Sequence, residues 1–498
     1  MAGQFGGAAP SGDTYDAIIV GSGAGGCAAA YNLVRAGLRV LLLEKGDDLP
    51  LDRSTLDVGQ VIRDGRFKSS EEWLDGAGRR FKPEEYFNLG GKTKWYGAAL
   101  LRYGRSEFDA VPARGYQAWP ITYDDLSRYY DQAEQLLEVR DFDCEPDLQV
   151  IVERLAKRSP EWRCQPLPLG LSPRIAGDRQ EASHFDGFAS PAGLKSDAQS
   201  MFLDRVKSEP NLHVRTRSTV SEILPESGGG DGNGAPRVGG VRLIDGAEIR
   251  ARAVILAAGA LHSPRLLQKF IGDNGFEDRL PCHVNVGRNL KMHLLTAMVA
   301  VSPARKTDLI RKTRLFLHRE LPHSSVQPLG FDGELIGNLI PKFVPRFVAG
   351  QIGARAYGFF LQTEDGAHPD NRVLAESAAT QNLPVLDYDP ARSPAALAEH
   401  LRLIARFRQA MLRSGLIAFS ERVGSAGTAH VSGTLAAGND PANSVVDKEG
   451  RVHGLESLYV VDGSVLPRSS RVNPSLTIYA WSLRASEKLA VRLTGARA

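Results

Sequence analysis

The sequence predicts an α/β protein, α+β overall, in which a Rossmann-like domain is interrupted along the chain by a second domain with an antiparallel sheet backed by helices. Three observations predict this architecture. A strand, a glycine-rich turn, a helix and a second strand follow one another between residues 15 and 44. A β-meander then leads into an apolar strand that ends at a glycine, at residues 253–260. Residues 286–419 switch to strands of the alternating, antiparallel kind, followed by a long helix.

Length, composition and charge are those of an ordinary globular chain. Its 498 residues, 42% hydrophobic and 24% charged, allow two to four domains. The formal net charge is +3, from 61 basic and 58 acidic residues, which argues against nucleic acid or an acidic partner. The four cysteines show no Cys-x-x-Cys spacing. We therefore expect reduced thiols, with no disulfide framework and no metal site.

Nothing in the sequence predicts secretion or a membrane span. Residues 1–13 are rich in Gly and Ala but lack the basic and apolar regions of a signal peptide, so we expect a flexible tail. No segment approaches 18 consecutive apolar residues. These observations predict a soluble, cytoplasmic protein.

The N-terminal segment carries a dinucleotide-binding fingerprint in its expected context. The β-branched run at 15–20 leads directly into Gly21-Ser22-Gly23-Ala24-Gly25-Gly26, which opens a segment of good helix formers. A second strand at 39–43 ends at Glu44. The glycine pattern alone would be weak, but strand, glycines, helix, second strand and terminal acid together predict a dinucleotide site.

Each residue of this fingerprint has a physical task. Gly21 permits the tight turn, Gly23 lets backbone N–H groups approach a pyrophosphate at the helix N-terminus, and Gly26 lets the helix pack closely on the strand. Glu44, 23 residues after Gly21, is placed to accept hydrogen bonds from ribose hydroxyls. An acid at this place also argues against a 2′-phosphate on the nucleotide.

The block from Leu89 to Leu101 contains glycine pairs flanked by aromatic and small residues. Such a backbone could lie flat against a planar ligand, although a surface turn would look the same. Further along, Thr122 predicts the cap of a helix with acidic residues in its first turn. Residues 141–190, with many prolines and no clear period, predict a loop-rich region.

The middle of the chain predicts the rest of both domains. A helix at 198–206 precedes the meander, whose glycine-rich stretch at 228–234 predicts a flexible hairpin turn. In the second domain, strands are expected at 294–301, 356–362, 372–376 and 383–388, with a helix at 393–412. We interpret these as one antiparallel sheet forming a wall of the substrate site. The polar stretch 305–326 predicts either a mobile lid or a solvated surface loop.

Two residues of the last quarter suit the oxidation of an alcohol. Such a reaction removes a proton from oxygen and a hydride from carbon, and the neutral imidazole of His430 suits the first task. The amide of Asn473 can donate a hydrogen bond to the substrate oxygen without competing for the proton. Between them, the apolar run 458–461 and the following turn predict a strand that brings the two residues together.

Several motifs resemble the glucose-methanol-choline family of FAD-dependent oxidoreductases. They are the N-terminal unit, the Leu89–Leu101 block, Gly287-Arg288-Asn289-Leu290 with nearby His293, and the segment from His430 onward. The last includes His430-x-x-Gly433-Thr434 and Asn473-Pro474-x-Leu476-Thr477. The resemblance implies His430 as the general base and Asn473 as its partner, while His293 belongs to what looks like a structural motif of the family.

The resemblance also implies a set of FAD contacts. The ADP half would be held by Gly21, Gly23, Gly26 and Glu44, with Val220 beside the adenine. Contacts along the flavin, the pyrophosphate, the ribityl-phosphate region and the pyrimidine edge would come from Gly91, Thr93, Tyr96, Ala258, Gly259, Asp462, Gly463, Pro474, Ser475 and Leu476. Sugar oxidases of the family that bind flavin covalently have a histidine where this chain has Lys94, so we expect FAD to be non-covalent.

Within the family, the chain looks most like pyranose oxidases and bacterial glycoside 3-oxidases. This implies oxidation of a ring hydroxyl of a pyranose or glycoside, at carbon 3 in preference to carbon 2, with oxygen or a small electron acceptor reoxidising the flavin. A flavoprotein subunit of a sugar dehydrogenase complex and a lyase on the same scaffold are the alternatives. We expect segments 1–110, 196–290 and 420–498 to form the FAD-binding domain, and 111–195 and 291–419 the substrate-binding domain.

Overall fold

The structure is a computed structural model, and it describes residues 14–226, 235–340, 344–424, 426–427 and 430–495. The tail predicted at residues 1–13 and the hairpin turn predicted at 228–234 lie outside the described residues. The predicted fold class is confirmed: a largely parallel α/β sheet and a separate antiparallel sheet backed by helices are both present.

Strands and helices alternate irregularly along the chain. The strands are β1 (Tyr15–Val20), β2 (Val40–Leu43), β3 (Trp73–Asp75), β4 (Arg80–Phe81), β5 (Trp162–Pro166), β6 (Leu212–Arg215), β7 (Val220–Pro225), β8 (Val238–Leu243), β9 (Glu248–Leu256), β10 (His293–Val301), β11 (Arg314–His318), β12 (Ser324–Pro328), β13 (Ala356–Glu364), β14 (Arg372–Leu374), β15 (Val385–Asp387), β16 (Ile417–Arg422) and β17 (Leu458–Val460). The helices are α1 (Ala24–Arg35), α2 (Tyr123–Leu136), α3 (Pro146–Arg158), α4 (Arg179–His184), α5 (Ala198–Met201), α6 (Gly259–Asn274), α7 (Gly333–Leu339), α8 (Arg346–Gly353), α9 (Pro394–Arg413) and α10 (Ser475–Gly495).

The first sheet holds the glycine-rich turn at its carboxyl edge. Its strands run in the order β6-β2-β1-β9-β8-β7, and β17 also pairs with β9. Strands β6, β2, β1, β9 and β17 are parallel, while β7 and β8 form the antiparallel meander. Every residue of β1 and β2 is buried, as expected for parallel strands covered on both faces. The carboxyl ends of strands from distant parts of the sequence therefore lie at the same edge of the sheet.

Helices α1 and α10 pack together against this sheet. Ser482 Oγ of α10 donates to the Gly25 carbonyl of α1 over 2.6 Å, and Asn32 Nδ2 of α1 donates to the Leu483 carbonyl over 2.8 Å. These bonds fix the N-terminal half of α10 beside the glycine-rich turn. Among the described residues, we find no helix whose length and hydropathy would let it cross a membrane.

The second sheet is antiparallel, in the order β16-β10-β13-β12-β11-β5. One face buries Phe359 and Leu361 of β13 against α3 and α9. Because successive side chains of a strand point to opposite faces, the other face carries Gln362 of β13 and Gln327 of β12. Gln362 Nε2 donates to the Arg471 carbonyl over 2.8 Å, so this face looks onto the segment that leads into α10.

The strands β14 and β15 do not belong to the second sheet, which corrects the prediction of a single antiparallel sheet. They pair with each other and then with β3 and β4, in the order β14-β15-β3-β4. The physical reason is an apolar cluster in which Trp73 packs with Val373 and Leu386. The pairing joins residues 73–81 to residues 372–387, which we had placed in different domains; the domain limits themselves stay a prediction.

The prediction of a loop-rich region at 141–190 is wrong in part. Residues 146–158 form α3, whose Leu148, Ile151 and Leu155 face the core. Pro146 stands in the first turn, where its missing N–H costs no hydrogen bond. The prolines therefore mark the start of a helix as well as loops.

Both interpretations of residues 305–326 are wrong. The segment contributes β11 and the start of β12, and Asp308, Arg311 and Lys312 are buried. The carboxylate of Asp308 is satisfied inside the protein: it accepts from Leu148 N over 2.7 Å and from Tyr357 OH over 2.7 Å. Polar composition here reflects paired buried charges and not exposure to solvent.

Candidate active site

The structure brings His430 and Asn473 into contact. Asn473 Nδ2 donates to His430 Nε2 over 3.2 Å. Asn473 Oδ1 accepts from Gln327 Nε2 over 2.6 Å, and this second bond fixes which way the amide faces. The pair therefore lies between the second sheet and the N-terminus of α10.

Backbone constraints hold both residues in place. His430 has φ +63°, in the left-handed region, and such a conformation costs about 1–3 kcal/mol and persists only where the surrounding structure imposes it. Two residues later, Ser432 exchanges both backbone hydrogen bonds with Lys291, each 2.9 Å long. Asn473 directly precedes Pro474 and α10. The strained backbone of His430 therefore fixes the direction of its imidazole.

His293 is a third member of the site. Its Nδ1 lies 2.7 Å from Nδ1 of His430, and the two rings are nearly perpendicular, at 87°. Its Nε2 lies 2.7 Å from the Ser470 carbonyl oxygen. The sequence placed His293 only in a structural motif, and its role as a partner of His430 was missed.

The chain of contacts sets the tautomer of each imidazole. The Ser470 carbonyl can only accept, so His293 carries its proton on Nε2 and accepts at Nδ1. His430 must then donate from Nδ1, which leaves the lone pair of its Nε2 free of a proton. This lone pair faces the amide of Asn473. The arrangement holds a base at His430 Nε2.

The surroundings also keep His430 neutral. Burial lowers the pKa of His430 well below its ordinary value of 6.5, and the neighbouring His293, Lys312 and Lys92 lower it further. Burial likewise lowers the pKa of His293. Both effects disfavour the imidazolium, so the base is available at neutral pH.

This predicts an unusual acid limit for the reaction. A base is active only when unprotonated, so activity falls as pH drops through its pKa. Because the pKa of His430 is lowered, the rate constant for flavin reduction should stay level from pH 8 down past the ordinary histidine value of about 6.5 and fall only below it. Anaerobic stopped-flow measurements across this range check it. A limb centred at or above that value would contradict the assignment.

The glycine-rich turn is shaped by close packing. Gly21 has φ +101°, and a Cβ on Gly26 would overlap the Gly21 carbonyl oxygen. A Cβ on Gly25 would overlap the Val461 carbonyl oxygen, just after β17. Helix α1 can therefore approach the sheet only because these positions lack side chains.

Other glycines face open space at the same edge. A Cβ on Gly23 or Gly259 would meet nothing within 4 Å, and one on Gly91 would approach only Gly23. The N-terminus of α1 has no side-chain cap and no acidic residue in its first turn. Free N–H groups and the helix dipole suit a phosphate here, so these residues fit the pyrophosphate of an FAD.

Glu44 stands at the end of β2, beside this turn. Its Oε2 accepts from Ser22 N over 3.0 Å and from Ser22 Oγ over 2.6 Å, and its Oε1 accepts from Gly46 N over 2.9 Å. Burial raises the pKa of Glu44. Three of the carboxylate's roughly four acceptor positions are used, which leaves one for a ribose hydroxyl.

Three of the predicted FAD contacts use their side chains inside the protein. Asp462 accepts from Gly259 N over 2.9 Å and from Ser263 and Ser464, while Thr93 Oγ1 donates to the Gly90 carbonyl over 2.6 Å. Tyr96 OH donates to the Ser196 carbonyl over 2.7 Å. These side chains organise the loops. A bound cofactor would therefore contact the backbone groups of these three residues.

The other predicted contacts lie on the elements that border the same edge. Val220 opens β7, Ala258 caps α6 and Gly463 follows β17. Pro474 directly precedes α10, and Ser475 and Leu476 are its first two residues. Lys94 lies in the Leu89–Leu101 block, where its Nζ pairs with Asp197 Oδ1 at 3.0 Å.

Comparison with known proteins gives matches over nearly the whole chain. Residues 15–295 and 367–482 match the N-terminal and C-terminal models of the GMC oxidoreductases. A 6'''-hydroxyparomomycin C oxidase from Streptomyces lividus is 31% identical, covering 97% of this chain and 93% of its own. A paromamine 6'-oxidase from Streptomyces fradiae is 30% identical, covering 96% and 91%.

Solved structures share the fold. A pyridoxine 4-oxidase from Mesorbium loti superposes with a TM-score of 0.65 at 18% identity, covering 95% of this chain and 99% of that one. A formate oxidase variant from Aspergillus oryzae superposes with a TM-score of 0.69 at 15% identity, covering 97% and 99%. At these identities the likeness concerns the architecture.

Proposed function

The chain belongs to the GMC oxidoreductase family, and we propose that it oxidises a hydroxyl group of a sugar or glycoside to a carbonyl, with FAD as the hydride acceptor. The observation that carries this proposal is the unprotonated Nε2 of His430 beside the amide of Asn473. A base and a neutral hydrogen-bond donor that converge on one point suit an alcohol oxygen.

The residues act on the alcohol in a defined way. The substrate oxygen takes the place of the direct hydrogen bond between the two residues: its O–H donates to His430 Nε2, and Asn473 Nδ2 donates to that oxygen. His430 takes the proton as the carbonyl forms, and bound FAD supplies the acceptor for the hydride from carbon. The hydrogen bond from His430 Nδ1 to His293 then steadies the imidazolium. One proton and one hydride leave the alcohol, which balances its two-electron oxidation.

The relatives favour a sugar as the substrate class. Two relatives, which this chain matches over most of their length, are named as oxidases that act at positions 6''' and 6' of aminoglycosides. Our first candidate is a ring hydroxyl of a pyranose or glycoside, carbon 3 before carbon 2. The second candidate is the hydroxyl at carbon 6, which those two names favour.

An anaerobic screen tests the proposal. FAD-loaded protein is mixed with free sugars, glycosides and aminoglycosides, and the loss of oxidised-flavin absorbance is followed in stopped flow. We expect reduction by at least one sugar, and NMR of the product identifies the oxidised carbon. No reduction by any of them would contradict the proposal and favour a lyase.

The electron acceptor is tested separately. Hydrogen peroxide released in air by the isolated chain would favour oxygen as acceptor. Reduction of a dye without peroxide would favour a subunit that passes electrons to a partner.

We also propose that FAD is bound without a covalent link. Lys94 occupies the position of the linking histidine and is paired with Asp197 at 3.0 Å. Acid precipitation of the loaded protein should therefore release all the flavin into the supernatant. Flavin fluorescence that stays with the polypeptide on a denaturing gel would contradict this prediction.

A further inference from the structure

A buried ion pair between Lys312 and Asp186 is not used by the reaction described above. Lys312 Nζ lies 2.7 Å from Asp186 Oδ2, and their side chains are 4% and 9% exposed. Gly330 N donates to the same carboxylate oxygen over 3.2 Å. Removing two charges from water is unfavourable, so a pair buried this deeply calls for a reason.

Three observations relate this pair to the site. The charge of Lys312 acts on His430 and lowers its pKa. Gly330 follows Gln327, the partner of Asn473, by three residues, which limits their Cα separation to roughly 11 Å. A Cβ on Gly97 would overlap both Asp186 Oδ1 and Lys312 Nζ, so the pair reaches the Leu89–Leu101 block.

The pair has hydrogen-bonding capacity left over. An ammonium has three N–H donors, and among the described residues the structure gives Lys312 Nζ one acceptor, Asp186 Oδ2. Asp186 Oδ2 takes both bonds to that carboxylate, from Lys312 and Gly330. The acceptor positions of Oδ1 are therefore available, next to the free donors of Nζ.

A second buried lysine shows the contrast. Lys195 Nζ donates to the carbonyls of Tyr96, Phe185 and Phe188, over 2.7, 2.6 and 2.5 Å. All three of its donors are used, as expected for a structural lysine. Since two of these carbonyls flank Asp186, Lys195 holds the turn that presents the carboxylate.

The backbone also aims Lys312. Arg311 has φ +61°, and Lys312 N donates to the Ile310 carbonyl over 2.6 Å, which closes a tight turn. The Arg311 guanidinium is buried and donates to the carbonyls of Asp308 and Ala356. Strained backbone of this kind is found most often at functional sites, so the turn supports a functional role for Lys312.

We propose that Lys312 Nζ and Asp186 Oδ1 bind two neighbouring hydroxyls of the sugar, next to the hydroxyl that is oxidised. Lys312 donates to one and Asp186 accepts from the other, so the pair selects substrates that carry a vicinal diol beside the reacting carbon. This inference rests on the proposed function and names the part of the sugar that the site recognises.

The test combines enzyme variants with deoxy sugars. For the best substrate of the screen, analogues that each lack one hydroxyl other than the reacting one are compared with the parent in wild type and in Lys312→Met, which keeps the length but removes the donors and the charge. In wild type, loss of a bound hydroxyl should lower kcat/KM by about 10- to 100-fold, as for hydrogen bonds to charged groups. In Lys312→Met the parent should lose a similar factor, mainly through KM, and the deoxy penalty should disappear.

A matched control separates hydrogen bonding from charge. Lys92 also acts on His430 electrostatically, but it pairs with Glu85 and its side chain is 41% exposed. Lys92→Met should keep the wild-type deoxy penalty. If Lys312→Met keeps it as well, the inference is overturned.

Two further measurements keep the outcomes distinct. FAD content and the melting temperature report folding, and if Lys312→Met does not fold, Asp186→Asn/Lys312→Met, which removes both charges together, replaces it. Binding of the parent sugar's keto product, followed by calorimetry, should weaken in these variants without any turnover. If no sugar reduces the wild-type flavin, the proposed function fails; if sugars reduce it but the deoxy penalty persists in the variant, only this inference fails.

Discussion

Replacing His430 with alanine is expected to slow anaerobic flavin reduction by the substrate about 10²- to 10⁴-fold, the usual contribution of a positioned general base. The structure gives the reason: His430 Nε2 is the unprotonated atom that faces Asn473, and it is held there by His293. The FAD contacts we propose come from other residues, so the variant should purify with a full complement of flavin. Stopped-flow absorbance of the loaded protein measures both quantities.

The control for this variant is another histidine. His368 is partly exposed and lies near Asp370, and His368→Ala should reduce its flavin at the wild-type rate. Normal flavin reduction in His430→Ala would show that the base is a different group.

Replacing His293 with alanine is expected to lower the same rate constant by about 10- to 100-fold, as is common for a residue that orients a functional imidazole. Without the acceptor at His293 Nδ1, His430 is free to place its proton on either nitrogen and to rotate. The hydrogen bond that steadies the His430 imidazolium is lost as well, because neutral His293 serves as its acceptor.

The conservative variant distinguishes orientation from packing. In His293→Asn, the amide oxygen stands where Nδ1 stood and can accept from His430, so part of the lost rate should return. Equal losses in the alanine and asparagine variants would show that His293 only fills space.

Local patterns allowed much of the fold to be predicted. The strand, glycines and Glu44 at the start of the chain identify a unit whose parts are adjacent in sequence. The cap of α2 was also readable, and the structure shows Thr122 accepting from Asp125 N. Such features depend on residues a few positions apart, where propensity and spacing act directly.

Features that depend on distant pairing were not predictable. His293 meets His430 across 137 residues and Ser470 across 177, because the start of β10 lies beside the segment before α10. Lys312 meets Asp186 across 126 residues, in a stretch whose polar composition suggested exposure. For β14 and β15, the partner strand β3 lies in a polar region without a clear signal. Burial of paired charges and the choice of strand partner are set by the tertiary fold.

The most direct test of the central claim, that His430 and Asn473 act on an alcohol whose hydride passes to FAD, is an isotope measurement. The sugar identified in the screen is prepared with deuterium on the carbon that is oxidised, and anaerobic flavin reduction is compared with the unlabelled sugar. The account predicts full bleaching of the flavin with both, and a smaller rate constant for the deuterated sugar. Conversion of the sugar while the flavin stays oxidised would contradict it.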